Sequence, residues 1–370
     1  MMKKICILGI TGSIGSQAVD VINCLEGYSI VSASCNTNYS KLDKYIEELN
    51  LKSVWVKEKS YLENKYPNTK FYYDVDSFIA SIEVDAVINA LVGVAGLSAS
   101  IAIIKSKKEL LLANKESLVL AGDIINDLLK EYNVRMLPID SEHSAIFQCL
   151  DGKNKDDVNE LIITASGGAL RDLDRSKLAG VKISDVLNHP TWKMGGKITV
   201  DCATMVNKGF EVIEAHHLFG FDYDQIKTVL HEESAVHGAI KFKDGSVICQ
   251  MGATSMMLPI QYAITYPNRL QCNLSKSFDL TDTFNLHFRK MDYNRYPMLA
   301  LAYKVAKMGG IMPAVYCAAN DIAVNKFLKG EIEFLEIENI INKYVNYYSD
   351  KNILKPTLDD IYKVIDEISK

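Results

Sequence analysis

The chain has no C-x-x-C pair, and its eight cysteines are scattered along it. That usage argues against a disulfide scaffold or a cysteine zinc site and fits a reducing compartment. There is no long basic block, and with a net charge of −5 nothing suggests a nucleic-acid footprint. Lys105-Ser106-Lys107-Lys108 is short and reads as a solvated helix end. No apolar segment approaches the roughly 18 residues a membrane span requires. Lys3-Lys4 precede an apolar run, but it stops at Gly9, short of the roughly 7–15 residues of a signal-peptide core. Internal repeats and low-complexity tracts are also missing. The expectation is a cytoplasmic enzyme or binding protein.

What is present fits a globular chain with a proper core: 370 residues, 48% hydrophobic and 24% charged. That length predicts two or three domains. The stretch that organises them is Pro138-Ile139-Asp140-Ser141-Glu142-His143, where an apolar lead-in from Val134 ends in two carboxylates. Carboxylates are rarely buried unless paired or metal-bound. On an extended backbone Asp140 and Glu142 leave the same face, as a two-pronged clamp for a hard cation. The competing reading is a cap cluster opening a helix from Ser144 to Leu150.

Upstream, Ile5 to Gly9 reads as a buried strand. It runs into Gly9-Ile10-Thr11-Gly12-Ser13-Ile14-Gly15 and a helix from Ser16 to about Cys24. Strand, glycine turn and helix together form a dinucleotide-binding opening, in the G-x-x-G-x-x-G spacing. Further strands are predicted at 28–34, 52–56, 85–91, 110–113 and 134–139, mostly with helical patterns between them. The alternation implies a parallel sheet, with ligands at its carboxyl edge. Gly9 to Gly15, Asn36 to Asn38, Gly93, Asn114 to Glu116 and Asp140 to Glu142 all fall on that edge. The second strand ends Ser34-Cys35-Asn36-Thr37-Asn38, without the acid an NAD site carries for the ribose hydroxyl. NADP is therefore favoured over NAD, although no Arg or Lys stands in that run. Lys115 follows an apolar strand at the ligand edge, where it could bridge the nicotinamide region and an anionic substrate.

Downstream, Leu161 to Ala165 reads as a strand ending in Ser166-Gly167-Gly168, small enough to approach a phosphate. His189-Pro190-Thr191-Trp192-Lys193-Met194-Gly195-Gly196 suits a mobile flap. A single helix is predicted from Asp201, as its cap, to Gly220. Asn207 and Glu211 share one face of it, and Glu211 could add a third carboxylate to Asp140 and Glu142. A rival grouping is Glu211, Glu214 and His217, with His216 spare, on what would otherwise be an exposed face. Gly245-Ser246 reads as a hairpin turn between 239–242 and 247–251. His231 and His237 read as structural. After a turn-rich stretch from Tyr266 to about Asp292, helices are predicted at 298–308, 313–328, 334–348 and 357–369, a small bundle.

Taken in order, Thr11-Gly12-Ser13-Ile14-Gly15, Leu112 to Ser117, Pro138 to Phe147, Ser166-Gly167-Gly168, His189 to Trp192 and Ala203 to Glu211 resemble the 1-deoxy-D-xylulose-5-phosphate reductoisomerases. The likeness runs from about Lys3 to Asn325. It implies an α/β protein with a Rossmann-like NADPH-binding domain (1–140), a catalytic domain (141–265) with a flap at about 186–197, a linker (266–292) and a C-terminal helical bundle (293–370). It also implies a V-shaped homodimer. The implied reaction rearranges 1-deoxy-D-xylulose 5-phosphate and reduces it with NADPH to 2-C-methyl-D-erythritol 4-phosphate.

By position, the resemblance gives Asp140, Glu142 and Glu211 to a divalent ion (Mg²⁺, Mn²⁺ or Co²⁺). It gives Ser141 and Lys115 to the substrate's oxygens, and Ser166, Asn207 and Lys208 to its phosphate. His189 and Trp192 contact substrate from the flap. Thr11, Gly12, Ser13, Ile14, Asn36, Thr37, Asn38, Asn114, Glu116 and Gly195 face the cofactor. Two departures stand out. Cys202 replaces the family's usual serine before the phosphate helix, and Asn36-Thr37-Asn38 replaces its usual Gly-Lys-Asn. The alternatives are another NADP-dependent dehydrogenase of a phosphorylated sugar, or a non-catalytic nucleotide-binding regulator. The first would leave the carbon skeleton unbranched. The second would not need the three carboxylates and Lys115 that the chain retains.

Overall fold

A computed structural model describes residues 2–192, 194–272, 274, 278–281 and 284–370. Lys193 of the expected flap, and Asn273, Ser275 to Ser277, Asp282 and Thr283 of the expected linker, lie outside the described residues. In chain order the elements are β1 (Lys3–Leu8), α1 (Ser13–Cys24), β2 (Tyr28–Cys35), α2 (Tyr39–Leu49), β3 (Ser53–Val56), α3 (Leu62–Lys65), β4 (Lys70–Tyr72), α4 (Val75–Ser81), β5 (Ala86–Asn89), α5 (Ala95–Lys105), β6 (Glu109–Leu112), α6 (Glu116–Tyr132), β7 (Met136–Pro138) and α7 (Ser141–Leu150). They continue with β8 (Val158–Ala165), α8 (Ile183–Leu187), α9 (Gly196–Thr204), α10 (Val206–Phe219), β9 (Ile226–His231), β10 (Val236–Phe242), β11 (Val247–Met251), α11 (Met257–Thr265), β12 (Phe288–Lys290), α12 (Pro297–Met308), α13 (Met312–Leu328), α14 (Glu336–Ser349) and α15 (Leu358–Ser369). The chain forms two compact units: 1–117 with 123–144 and 255–277, and 118–122 with 145–254 and 278–370.

The first unit is built on a seven-stranded parallel sheet of order β4-β3-β2-β1-β5-β6-β7. Ile5, Ile7 and Leu8 of β1, Ala86 to Ile88 of β5 and Leu110 to Leu112 of β6 are fully buried, as expected of strands covered on both faces. Register is what matters for function. Leu8 pairs with Asn89, Asn89 with Leu112, and Leu112 with Pro138. Four strands therefore end level, and the loops that leave them lie along one edge. The β1–α1 turn is tight enough to need glycine: Gly9 has φ +80°, and a Cβ on Gly15 would meet the Gly9 carbonyl at 2.2 Å. The three-residue β4 was not expected; none of its residues is buried, so its pattern carries no core signal.

The second unit carries a five-stranded sheet of order β11-β10-β8-β9-β12. β8 and β9 run parallel, and the other pairs are antiparallel, including the expected β10–β11 hairpin. Its core joins Leu161 and Ile163 of β8, Val212 and Ala215 of α10, and Leu299 of α12. The C-terminal helices form where their spacing places them. Thr357 caps α15 in a reciprocal box with Asp360. Phe288–Lys290, inside the expected linker, pairs with β9.

The single helix expected from Asp201 to Gly220 is two. Met205 sits in the left-handed region at φ 62° and separates α9 from α10. Asp201 is thus inside α9 rather than its cap; it is buried and accepts from Lys197 and Asn320, each at 2.8 Å. Nothing in the sequence marks this break, because methionine is not a residue that favours positive φ.

Candidate active site

The nucleotide edge is built first by backbone. The Gly9 amide donates to Ser34 Oγ at 2.9 Å, and Gly12 N closes the turn on Gly9 O at 2.9 Å. Gly12 is the N-cap of α1 and supplies no side chain to it. The first-turn amides of α1 therefore face outward around Thr11, Gly12, Ser13 and Ile14, an arrangement suited to a pyrophosphate. Asn36, Thr37 and Asn38 come after β2 as exposed residues, and Asn38 caps α2.

A buried amide network holds the next corner. Asn114 is 1% exposed. Its Nδ2 donates to Leu91 O at 3.0 Å, Gly93 O at 3.1 Å and Glu116 Oε2 at 2.9 Å. Its Oδ1 accepts from the Ser117 amide at 3.0 Å and from the Ser117 hydroxyl. Behind it, Asn89 Nδ2 donates to Ser100 Oγ at 2.9 Å, which meets Ser117 Oγ at 3.1 Å. A Cβ on Gly96 would lie 2.1 Å from Asn114 Cγ, so glycine is required there. The network fixes Lys115 at the mouth of α6. Glu116 uses its carboxylate on the Gly93 amide and on Asn114.

Lys115 Nζ lies 2.8 Å from Asp140 Oδ2, and His143 Nδ1 lies 3.5 Å from the same oxygen. Burial alone would raise the Asp140 carboxyl, but the Lys115 ammonium and His143 hold it well below the usual carboxylate range. Ser141 donates to Glu142. The extended backbone expected for Asp140 to Glu142 is not found. The helix begins at Ser141, three residues before the expected Ser144, with Asp140 O accepting from Ser144 N at 2.8 Å. The helix start replaces the extended backbone, yet Asp140 and Glu142 each bring a carboxylate oxygen within 4.8 Å of the other.

In the second unit, Glu211 is 1% and Lys208 4% exposed. Lys208 pairs with Glu211, and Asn207 Nδ2 donates to its other oxygen at 2.5 Å. The face expected to be exposed is buried: Val206 to Ala215 are all interior. His217 of the rival grouping packs its ring where a Cβ on Gly122 would fall, and His216 stacks on Tyr223 at 4.3 Å. His231 accepts the Ala235 and Val236 amides, in keeping with a structural role.

Ser166 comes directly after β8, and its hydroxyl meets His189 Nε2 at 3.0 Å. His189 Nδ1 accepts the Trp192 amide at 3.0 Å and the Thr191 amide at 3.2 Å. The network therefore assigns the ring proton to Nε2, which donates to Ser166. Burial, and then the nearby Arg171 charge, pull the His189 pKa down, so the ring is neutral near pH 7. Trp192 lies 6.3 Å from the His237 ring, Gly195 caps α9, and Cys202 sits half-buried in it. Sequence reasoning missed Asn89, Gly96 and Ser100, and gave Ser117 no role beyond the motif it closes. It also missed Lys41, three residues beyond the run searched for a cation. Lys41 reaches back to Thr11 O at 3.3 Å and Ser16 Oγ at 2.5 Å.

A Rossmann-like sheet whose carboxyl edge carries a glycine turn and a lysine–carboxylate cluster defines an oxidoreductase of the dinucleotide-binding class. Family models then specify the group. That of 1-deoxy-D-xylulose 5-phosphate reductoisomerase matches residues 5–122, its C-terminal-domain model residues 136–219, and a further DXP reductoisomerase C-terminal-domain model residues 251–370. The chain is 44% identical to the 1-deoxy-D-xylulose 5-phosphate reductoisomerase of Listeria welshimeri, over 99% of this chain and 98% of that one. It is 46% identical to that of Bacillus pumilus, over 98% and 97%. Among solved structures, the Zymomonas mobilis enzyme in complex with NADPH matches with TM-score 0.90 at 35% identity, covering 100% of this chain and 97% of that one. A DOX-P reductoisomerase in complex with NADPH, fosmidomycin and magnesium matches with TM-score 0.93 at 31% identity, with the same coverage. The chain belongs to the 1-deoxy-D-xylulose 5-phosphate reductoisomerase family. No helix among the described residues is long and apolar enough to cross a membrane.

Proposed function

We propose that this chain converts 1-deoxy-D-xylulose 5-phosphate to 2-C-methyl-D-erythritol 4-phosphate, using NADPH and a divalent metal ion, in isoprenoid precursor synthesis. The observation that carries the reading is the level ending of β1, β5, β6 and β7. It sets the glycine turn, Asn114 to Glu116 and Asp140 to Glu142 along one edge. Asp140, Glu142 and Glu211 are proposed to hold the ion. All are hard oxygen donors suited to Mg²⁺ or Mn²⁺, and a lysine pairs with Asp140 and another with Glu211.

When bound, the ion supplies Lewis acidity at neighbouring substrate oxygens, and NADPH supplies the hydride. Lys115 brings positive charge to the oxyanion that develops as the carbon skeleton rearranges. Ser141 hydrogen-bonds the substrate. Ser166, Asn207, Lys208 and the His189 Nε2–H are proposed to hold the phosphate, with Cys202 beside them. Trp192 and the flap keep water from the aldehyde that precedes reduction. Asn114, Glu116, Gly195 and the 11–14 and 36–38 turns hold the cofactor. We take residues 1–140 as the NADPH-binding domain, 141–265 as the catalytic domain, 266–292 as the linker and 293–370 as a structural bundle. The working form is proposed to be a cytoplasmic homodimer.

The test is NADPH consumption with 1-deoxy-D-xylulose 5-phosphate and Mg²⁺ or Mn²⁺, with and without chelator, then product analysis. A branched product and full loss of turnover on chelation are expected. An unbranched product would instead favour a simple sugar-phosphate dehydrogenase.

A further inference from the structure

The turn after β2 holds neither an acid nor a base, so residues 34–38 bring no charge to the cofactor's ribose substituent. The geometry points to Lys41 as the residue that reads the 2′-phosphate of the dinucleotide. Lys41 lies in the first turn of α2, where its amide is fixed by the Asn38 cap at 3.1 Å. A cation there opposes the helix dipole, so an anion nearby offsets a standing cost. No carboxylate pairs with Lys41 among the described residues. Its ammonium instead turns back over the glycine turn, 3.3 Å from Thr11 O and 2.5 Å from Ser16 Oγ, and its charge lies 5.7 Å from the Tyr45 ring. Those two bonds use two of the three N–H donors of an ammonium, and the third remains for a ligand.

The position suits that ligand. Thr11 is tied to the end of β2 through Cys35 Sγ at 3.4 Å, and in this fold the ribose substituent is read beyond the end of the second strand. Lys41 therefore stands between the pyrophosphate turn and the ribose end of the site. A lysine delivered from α2 replaces the charge that residues 36–38 do not carry.

The inference rests on the NADPH reading, and its test separates the two. Full-length wild type, Lys41→Ala and Lys41→Arg are compared for kcat/KM with NADPH and NADH. Binding of adenosine 2′,5′-bisphosphate and adenosine 5′-monophosphate is measured by calorimetry. Lys41→Ala is expected to lose about tenfold to a hundredfold with NADPH, the scale of one charge-assisted hydrogen bond. The loss should fall in KM, NADH should change less than twofold, and Lys41→Arg should retain most of the preference. Wild type should bind the bisphosphate more tightly than the monophosphate, and Lys41→Ala should erase the difference. Equal losses with both cofactors, no loss with either, or a bisphosphate preference that survives Lys41→Ala would overturn the assignment. Absence of turnover in wild type would defeat the proposed reaction, while the calorimetry would still decide the role of Lys41.

Discussion

Gly96→Ala adds a single methyl group, and it should be severe. The new Cβ would sit 2.1 Å from Asn114 Cγ and 2.2 Å from Oδ1, well inside contact distance. Asn114 must rotate away. Its side chain makes five hydrogen bonds, to Leu91 O, Gly93 O, Glu116, the Ser117 amide and the Ser117 hydroxyl. Overpacking costs about 1–3 kcal/mol, and each buried hydrogen bond lost adds roughly 1 kcal/mol. With two bonds lost, the local penalty is about 3–5 kcal/mol. Hydrogen exchange across residues 89–117 reads it directly: protection should fall at least about a hundredfold, at 1.4 kcal/mol per tenfold. NADPH affinity should fall with it, because Asn114 and Glu116, proposed to hold the cofactor, are displaced together. Asn114→Ala vacates the space, so Gly96→Ala should cost almost nothing in that background, a coupling visible in a double-mutant cycle. Wild-type exchange in Gly96→Ala, or additive losses in the double variant, would refute the network as the support of this corner.

His189 has a folded pKa below the ordinary value of about 6.5. The folded state therefore binds fewer protons than the unfolded one, and the contribution of His189 to stability falls as pH drops below about 6.5. Nuclear magnetic resonance titration should place its pKa below 6.5 in the ligand-free protein, and inorganic phosphate at Ser166 should raise it. Cys202→Ser should lower KM for the substrate by up to about fivefold, one hydrogen bond's worth, as measured by steady-state kinetics. Lys115→Met should depress kcat by at least about a hundredfold, the scale of one oxyanion donor. In single-turnover assays NADPH binding should survive that change.

The carboxyl edge of the sheet was legible because each strand announces its own end: β1 at Gly9, β6 before Asn114, β7 before Asp140. The sheet register then does what alternation of strands and helices implies. Less visible were features that depend on what a side chain meets in space. Gly96 is one small residue in an apolar helix until Asn114 is packed against it. Met205 interrupts a continuous helical pattern with a backbone conformation that methionine rarely takes, which is why α9 and α10 read as one. Lys41 lies within an ordinary amphipathic helix, and only its reach back to the glycine turn distinguishes it. The acidic and histidine-bearing helix α10 read as exposed from its charged residues, but it is buried, with Lys208 paired to Glu211 and Asn207 hydrogen-bonded to it.

Asp140, Glu142 and Glu211 are proposed to share one divalent ion, and Mn²⁺ binding monitored by electron paramagnetic resonance tests that sharing without catalysis. Full-length wild type should bind one Mn²⁺ per chain, and Asp140→Asn, Glu142→Gln and Glu211→Gln should each weaken binding by at least about tenfold, the low end for a perturbed metal site. A Glu211→Gln protein that binds Mn²⁺ as tightly as wild type would contradict the account.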